Sequence, residues 1–220
     1  MDQVVVYGNG QVAGLAHYYL THDSEYEVVA FTVGASFITD TSINGLPVVS
    51  AEVVRSEYPP GTYKMFVAMG YGRVNKEREQ RYGEAKVMGY ELISYVSSKA
   101  TIWPGVAIGE NCFIMEGNII QPFAKIGNDV VMWSACHVGH ETVIKDHCFL
   151  SAHSVVSGNV TIEPNCFLGV NCTIRNAITL GRESVIGAGA VITKDTKERG
   201  VYAAPRVEPL ALTSDRLPGL

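Results

Sequence analysis

From Ile102 to Lys197 the apolar residues of the chain recur every six positions. Read in sixes, the first positions are Ile102, Ile108, Ile114, Ile120, Ile126, Met132, Val138, Ile144, Leu150, Val156, Ile162, Leu168, Ile174, Leu180, Ile186 and Ile192, sixteen apolar residues in sixteen places. A half-buried strand repeats every two residues and a helix every 3.6, so a period of six predicts short strands bent at regular corners and stacked coil on coil. The fifth position is mostly small, as at Cys112, Ala124, Cys136, Ser154, Cys172 and Ala190. First and fifth positions are four apart, so on an extended segment both point to one side, into a narrow shaft. Three hexads close a triangular coil, and the sixteen sides make a parallel β-helix of a little over five coils.

Residues 1–99 follow a different pattern. Val4 to Tyr7 predicts a buried strand, followed by Gly8-Asn9-Gly10-Gln11 and a helix to about His22. Further strands are expected at Glu27 to Thr32, Leu46 to Val49, Lys64 to Ala68 and Tyr90 to Tyr95, with helices at Ala51 to Tyr58 and Asn75 to Lys86. Strands alternating with helices predict an α/β half built on a small Rossmann-like parallel sheet. The expected division is therefore 1–99, then 100–197 for the β-helix, then a cap or tail at 198–220.

Gly8-x-Gly10-x-x-Ala13 at a strand-to-helix turn is a phosphate-cradling pattern, because glycine lets the backbone approach an anion and the helix N-terminus supplies donors. A nicotinamide dinucleotide also wants an acidic residue at the end of the second strand. Phe31-Thr32-Val33-Gly34 has none, which favours a nucleotide or nucleotide-sugar phosphate, with a merely structural turn as the alternative. Gly8, Asn9, Gly10 and Gln11 are the candidate contacts. Arg73, Asn75 and Arg78, after the fourth expected strand, are candidates for phosphate or sugar hydroxyls at the same sheet edge.

The formal net charge is −5 with no run of Lys or Arg, which argues against nucleic acid or an anionic membrane as partner. Neither a basic leader nor a long apolar segment is present, so a cytoplasmic protein without membrane insertion is expected. All five cysteines occupy the fifth hexad position. Buried in an apolar shaft they are core fillers, neither nucleophiles nor metal ligands, and no metal is expected.

Hexads such as Ile108-Gly109-Glu110-Asn111-Cys112-Phe113, Leu168-Gly169-Val170-Asn171-Cys172-Thr173 and Ile186-Gly187-Ala188-Gly189-Ala190-Val191 resemble those of the bacterial hexapeptide-repeat acyltransferases. With the α/β half, the whole chain resembles the sugar-acyltransferase branch, which includes N-acetyltransferases of nucleotide-linked amino-deoxysugars and sialic acid O-acetyltransferase-like proteins. The resemblance implies a left-handed β-helix, a homotrimer, acetyl-CoA or another acyl-CoA as co-substrate, and a nucleotide-linked sugar bound by the first domain, in surface-glycan biosynthesis. Val138-Gly139-His140-Glu141 followed by Ser157-Gly158-Asn159 is the most specific local match. By that resemblance His140 is the general base and Glu141 its orienting partner, Gly158 meets the thioester carbonyl, and Gly187 and Ala188 line the pantetheine path. Phe149 stands where relatives often carry a second histidine, at a cofactor contact. Trp133 stands where an Asn often meets the sugar.

His147 and His153, on successive sides of one coil, read as surface or interface residues, with CoA contact at a trimer cleft as the alternative. His137 and His140 point to opposite sides of an extended strand, which disfavours a shared metal. The favoured reaction is acyl transfer to a sugar amine. Its alternatives are O-acylation of a sugar hydroxyl, a zinc lyase needing three convergent imidazoles, and a non-catalytic sugar-nucleotide-binding scaffold.

Overall fold

The computed structural model describes residues 1–209 and 211–216; Leu210 and residues 217–220 of the expected tail lie outside the described residues. The first half contains β1 (Asp2–Tyr7), α1 (Gln11–His22), β2 (Tyr26–Val33), β3 (Ser42–Ile43), β4 (Leu46–Ser50), α2 (Val54–Glu57), β5 (Lys64–Val67) and α3 (Lys76–Val87). The sheet order is β3-β4-β2-β1-β5, parallel except for the β3–β4 hairpin. The chain leaves β1 toward β2 on one side and reaches β5 on the other, so a crevice opens at the carboxyl end of β1. The helix expected over Ala51 to Tyr58 is reduced to a single turn. Tyr90 to Tyr95 does not form a fifth parallel strand: only a bridge joins Met65 to Leu92, and Tyr95–Val96 pairs instead with Phe113–Ile114.

That pairing shows that the hexad register begins one side before Ile102, since Val96 is six residues earlier. From Tyr95 to Ile192 every side of the prism is a two-residue strand, and each strand as far as Thr173–Ile174 pairs in parallel with the strand eighteen residues on. The strands form three parallel sheets wound as a left-handed β-helix. Sheet 1 carries 101–102, 119–120, 137–138, 155–156, 173–174 and 191–192; sheet 2 carries 107–108 to 179–180; sheet 3 carries 95–96 to 185–186 and closes with Val201–Tyr202. First and fifth hexad positions line the shaft as expected, buried without exception from Cys112 to Thr196.

Periodicity alone does not reveal how the corners turn. The fourth hexad position is left-handed at every hexad from Gly105 (φ 84°) to Gly189 (φ 69°), including Phe123, Asp129, Glu141, His147 and His153. This conformation is the usual province of Gly, Asn and Asp, and side chains placed there project from the edges of the prism. The second position is often glycine because the next coil lies directly against it. A Cβ at Gly139 would come within 2.4 Å of the Gly158 nitrogen, and one at Gly169 within 2.6 Å of the Ala188 nitrogen.

The outward residues of the first five strands of sheet 3 are Tyr95, Phe113, Val131, Phe149 and Phe167. They form one apolar cluster with Val4, Val6, Ala13, Ala16, Leu20, Phe31 and Phe66, so the α/β domain rests on this sheet. Alongside, α3 follows the corner between sheets 2 and 3. Arg78 is fully buried there and donates through Nε to Asp129 Oδ1 (3.1 Å), through Nη1 to Gly70 O and Asn75 Oδ1, and through Nη2 to Asp129 O, His147 O and Cys148 O.

Candidate functional site

His140 and Glu141 occupy the third and fourth positions of one hexad, at the corner between sheets 1 and 2. The left-handed Glu141 (φ 59°) turns its carboxylate back so that Oε2 lies 3.1 Å from His140 Nδ1. A carboxylate only accepts, so Nδ1 carries the proton and Nε2 is left as the basic nitrogen. Both side chains are 60% exposed. Their backbone is held from both sides: His140 N–H donates to Gln121 Oε1 (2.9 Å), Glu141 N–H to Pro122 O (3.2 Å), and Asn159 N–H to His140 O (2.8 Å).

Gly158 lies one coil later, beneath the imidazole. A Cβ there would be 2.6 Å from Nε2 and 2.8 Å from Cε1, so only glycine leaves the ring where it is. Among the described residues no acceptor takes the N–H of Gly158, and Gly139 has no side chain to cover it. The corner thus offers a free imidazole nitrogen and an amide N–H side by side.

A separate cavity of about 610 Å³ opens at the carboxyl ends of β2, β1 and β5. Gly8, Asn9, Gly10, Gln11 and Arg73, all singled out from the sequence, line it together. Gly8 has φ 136°, and a Cβ on it would be 2.7 Å from Ala68 O, so no other residue fits between β1 and β5. The first turn of α1 has neither a side-chain cap nor an acidic residue, which leaves its N–H groups for an anion. Arg73, Val74 and Asn75 are three consecutive left-handed residues (φ 51°, 54°, 67°). Such strain costs about 1–2 kcal/mol per residue and is held by buried bonds from Asn75.

Several expectations are corrected. Asn75 is fully buried and faces away from the cavity, its amide donating to Asn165 O (3.2 Å) and Cys166 O (3.1 Å) on the prism. Arg78 is likewise turned to the prism. Phe149 is no cofactor contact: it is buried in the seam under the α/β domain, with ring centroids of Tyr71 at 5.1 Å and Phe167 at 5.7 Å. Trp133 packs on the same seam, 6.5 Å from Phe149, and does not line the cavity. His147, read as a surface or interface residue, is partly buried where α3 meets the prism; its Nδ1 lies 2.8 Å from the buried Asp129 and its ring stacks edge-on to Tyr82. Gly187 and Ala188 sit at the corner between sheets 3 and 1, across sheet 1 from His140, with Tyr202 O and Ala203 running close over Gly187.

Sequence reading missed Phe37, Glu77, Gln80 and Arg81 in the cavity wall. The signal for the last three was present, since 77, 80 and 81 share one face of the expected helix, just after Arg73. The thiols behave as expected of core fillers: burial pushes Cys112 and Cys136 up to about 12, which keeps them protonated. Among the described residues no group of three or more His, Cys, Asp or Glu converges on a metal position, and no helix is long and apolar enough to cross a membrane.

The family described as hexapeptide repeat of succinyl-transferase matches residues 159–194. The acetyltransferase domain of PglB from Neisseria gonorrhoeae, solved with acetyl coenzyme A, superposes with a TM-score of 0.84 at 25% identity, over 94% of this chain and 98% of that one. PerB from Caulobacter crescentus, solved with CoA and GDP-perosamine, gives 0.80 at 25% identity over 93% and 95%. WeeI from Acinetobacter baumannii shares the fold, with a TM-score of 0.77 at 21% identity over 91% and 96%. The repeat, the appended sheet and these likenesses define a hexapeptide-repeat acyltransferase with an N-terminal α/β domain. Within that class the chain is structurally like the PglB acetyltransferase domain and the GDP-perosamine N-acetyltransferase PerB.

Proposed function

We propose that the protein transfers an acyl group from acetyl-CoA, or a close acyl-CoA, to the amino group of a nucleotide-linked amino-deoxysugar. The observation that carries this reading is the His140–Glu141 pair, 3.1 Å apart and open at a prism corner, above a glycine whose amide is free. In the reaction the amine nitrogen bonds to the thioester carbonyl carbon and the carbon–sulfur bond breaks. Nε2 of His140 takes the amine proton, and CoA leaves as the thiolate. A positioned base of this kind contributes about 10²–10⁴-fold in rate. Glu141 fixes the tautomer and stabilises the imidazolium. The Gly158 N–H donates to the developing oxyanion, an interaction worth roughly 3–4 kcal/mol in comparable sites. No acyl-enzyme is required, because every thiol is in the shaft.

The acceptor nucleotide belongs in the cavity at Gly8 to Gln11, supported by the bare N-terminus of α1 and the rim arginines Arg73 and Arg81. In one chain this cavity is on the sheet 3 side, whereas His140 is on the opposite corner of the triangle. Donor and acceptor therefore meet only across two chains, and we propose a homotrimer whose contact includes the exposed strip Ile119, Val155 and Val191 on sheet 1. Incubation with acetyl-CoA and a panel of amino and non-amino sugar nucleotides, read by product mass, tests the reading. His140→Ala is expected to bind CoA and lose most turnover; near-normal turnover removes His140 from the mechanism.

A further inference from the structure

Of the two aromatic residues in the cavity wall, Tyr7 is buried in the sheet and Phe37 is exposed. Phe37 lines the cavity yet is 60% exposed, although a lone Phe in a surface turn gains nothing from facing water. The turn that carries it is tied down at several points. Phe37 N–H donates to Gly34 O (2.8 Å), and Asn9 Nδ2 reaches over from the glycine loop to Phe37 O (2.8 Å). Ala35 N–H donates to the Glu52 carboxylate (3.1 and 3.3 Å), which is held in turn by the Ser50 hydroxyl. The ring lies close against Gly34, where an added Cβ would be 3.4 Å from Cδ2. Phe37 is thus a fixed, solvent-facing aromatic beside the anion-binding loop.

Asn9 joins the two elements: it belongs to the loop that would hold the phosphates, and it anchors the turn bearing the ring. A diphosphate on the Gly8 to Gln11 loop has its nucleoside directed to one side or the other. Toward β5 lie Glu77 and the rim arginine Arg73; toward β2 the wall is Val33, Gly34 and Phe37, without a charge. An uncharged wall with an exposed aromatic suits a nucleobase, whose faces are apolar. No acidic residue follows β2 in sequence, and the Glu52 carboxylate that reaches this turn is engaged by Ala35 N–H and the Ser50 hydroxyl, so recognition falls to stacking.

We propose that Phe37 is the nucleobase platform of the cavity, stacking on the base of the nucleoside diphosphate portion of the substrate. This rests on the nucleotide-sugar reading above. A phenyl ring offers no hydrogen bonds, so it selects by overlap area and favours a purine over a pyrimidine. Removing a base-stacking aromatic weakens binding by about 5- to 150-fold.

The test is calorimetric titration of the full chain and its Phe37→Ala and Phe37→Tyr variants with GDP, ADP, UDP and inorganic pyrophosphate. Expected are tighter binding of GDP and ADP than of UDP, a loss in that range for the purines in Phe37→Ala, retention in Phe37→Tyr, and unchanged pyrophosphate binding. CoA titration of the same samples shows that the variants are folded. If Phe37→Ala binds GDP and ADP like the parent chain while the parent binds them well, the platform is refuted and the nucleotide reading stands. A parent chain that binds none of the three nucleotides overturns the nucleotide reading and the inference with it.

Discussion

Gly158→Ala separates the position of the imidazole from the stability of the coil. The new methyl carbon would start 2.6 Å from His140 Nε2, 2.8 Å from Cε1 and 3.0 Å from Cδ2. Comfortable contact is about 3.5 Å, so the basic nitrogen must retreat by roughly 1 Å. His140 is 60% exposed and can swing outward, so the backbone has no need to move. A misplacement of about 1 Å costs on the order of 10²-fold in rate. Gly158 has an ordinary backbone conformation, and replacing such a glycine by Ala stabilises by about 0.4–1 kcal/mol through the unfolded chain. The variant should therefore melt no lower than the parent, bind CoA, and show kcat reduced about 100-fold. Gly139→Ala is the counterpart: its methyl would meet backbone atoms, Gly158 N at 2.4 Å and Ser157 C at 2.5 Å. Relief there means breaking the Gly139 N–H to Val156 O and Asn159 N–H to His140 O bonds, and overpacking of this kind costs about 1–3 kcal/mol or more. Thermal melts and kcat for both variants are the assay. Gly158→Ala with kcat within twofold of the parent, or with a melting loss equal to that of Gly139→Ala, would refute the reasoning.

Arg78→Ala strands the buried Asp129 with only Asn111 Nδ2 and His147 Nδ1 (2.8 Å each), and should cost about 3–5 kcal/mol in a denaturant titration; a loss below 1 kcal/mol would show that the clamp is not what joins the two domains. Asp23 accepts bonds from Ser98, Tyr95 and Ser97, which hold its carboxyl well below the usual range. A depressed carboxyl stabilises the fold above its unfolded value and loses that contribution as pH falls. Asp23→Asn should therefore be less stable than the parent at neutral pH, with the gap starting to narrow below about pH 4 and closing only as pH falls through the depressed folded value, and parallel pH profiles of the melting temperature would contradict this.

The shaft was legible because its first and fifth positions are set by one local rule repeated sixteen times, and the same rule disposed of Cys112, Cys136, Cys148, Cys166 and Cys172. The errors lay where the rule is silent. A period of six does not say which of three sheets meets the other domain, so Phe149 was given the role its counterparts have in relatives. Reading every eighteenth residue instead, Phe113, Val131, Phe149 and Phe167 form an outward apolar row, and that row is the docking face. Asn75 and Arg78 were read as cavity residues because they follow a strand at the correct edge. Their partners, Asp129 and Asn165, are 51 and 90 residues away, beyond any local pattern. The cavity fared better, since Gly8 to Gln11 and Arg73 depend on strand ends that periodicity does place.

The corner along α3 carries Asn111, Asp129, His147, Asn165 and Glu183 on successive coils, and these unlike side chains meet Val67, Arg78, Tyr82, then Asn75, Lys76 and Glu79, and finally Lys76 on the first domain. A shaft of near-identical rungs is almost indifferent to sliding by a whole turn, because one large apolar residue replaces another. This row of unlike side chains acts as a key cut for one lock. Displacing the prism by eighteen residues would put Asp129 where Asn111 was, with every later tooth mismatched, so a single vertical alignment of the two domains survives. Since cavity and imidazole sit on separate parts, that alignment also fixes the height of the Gly8 to Gln11 cavity relative to His140 along the prism.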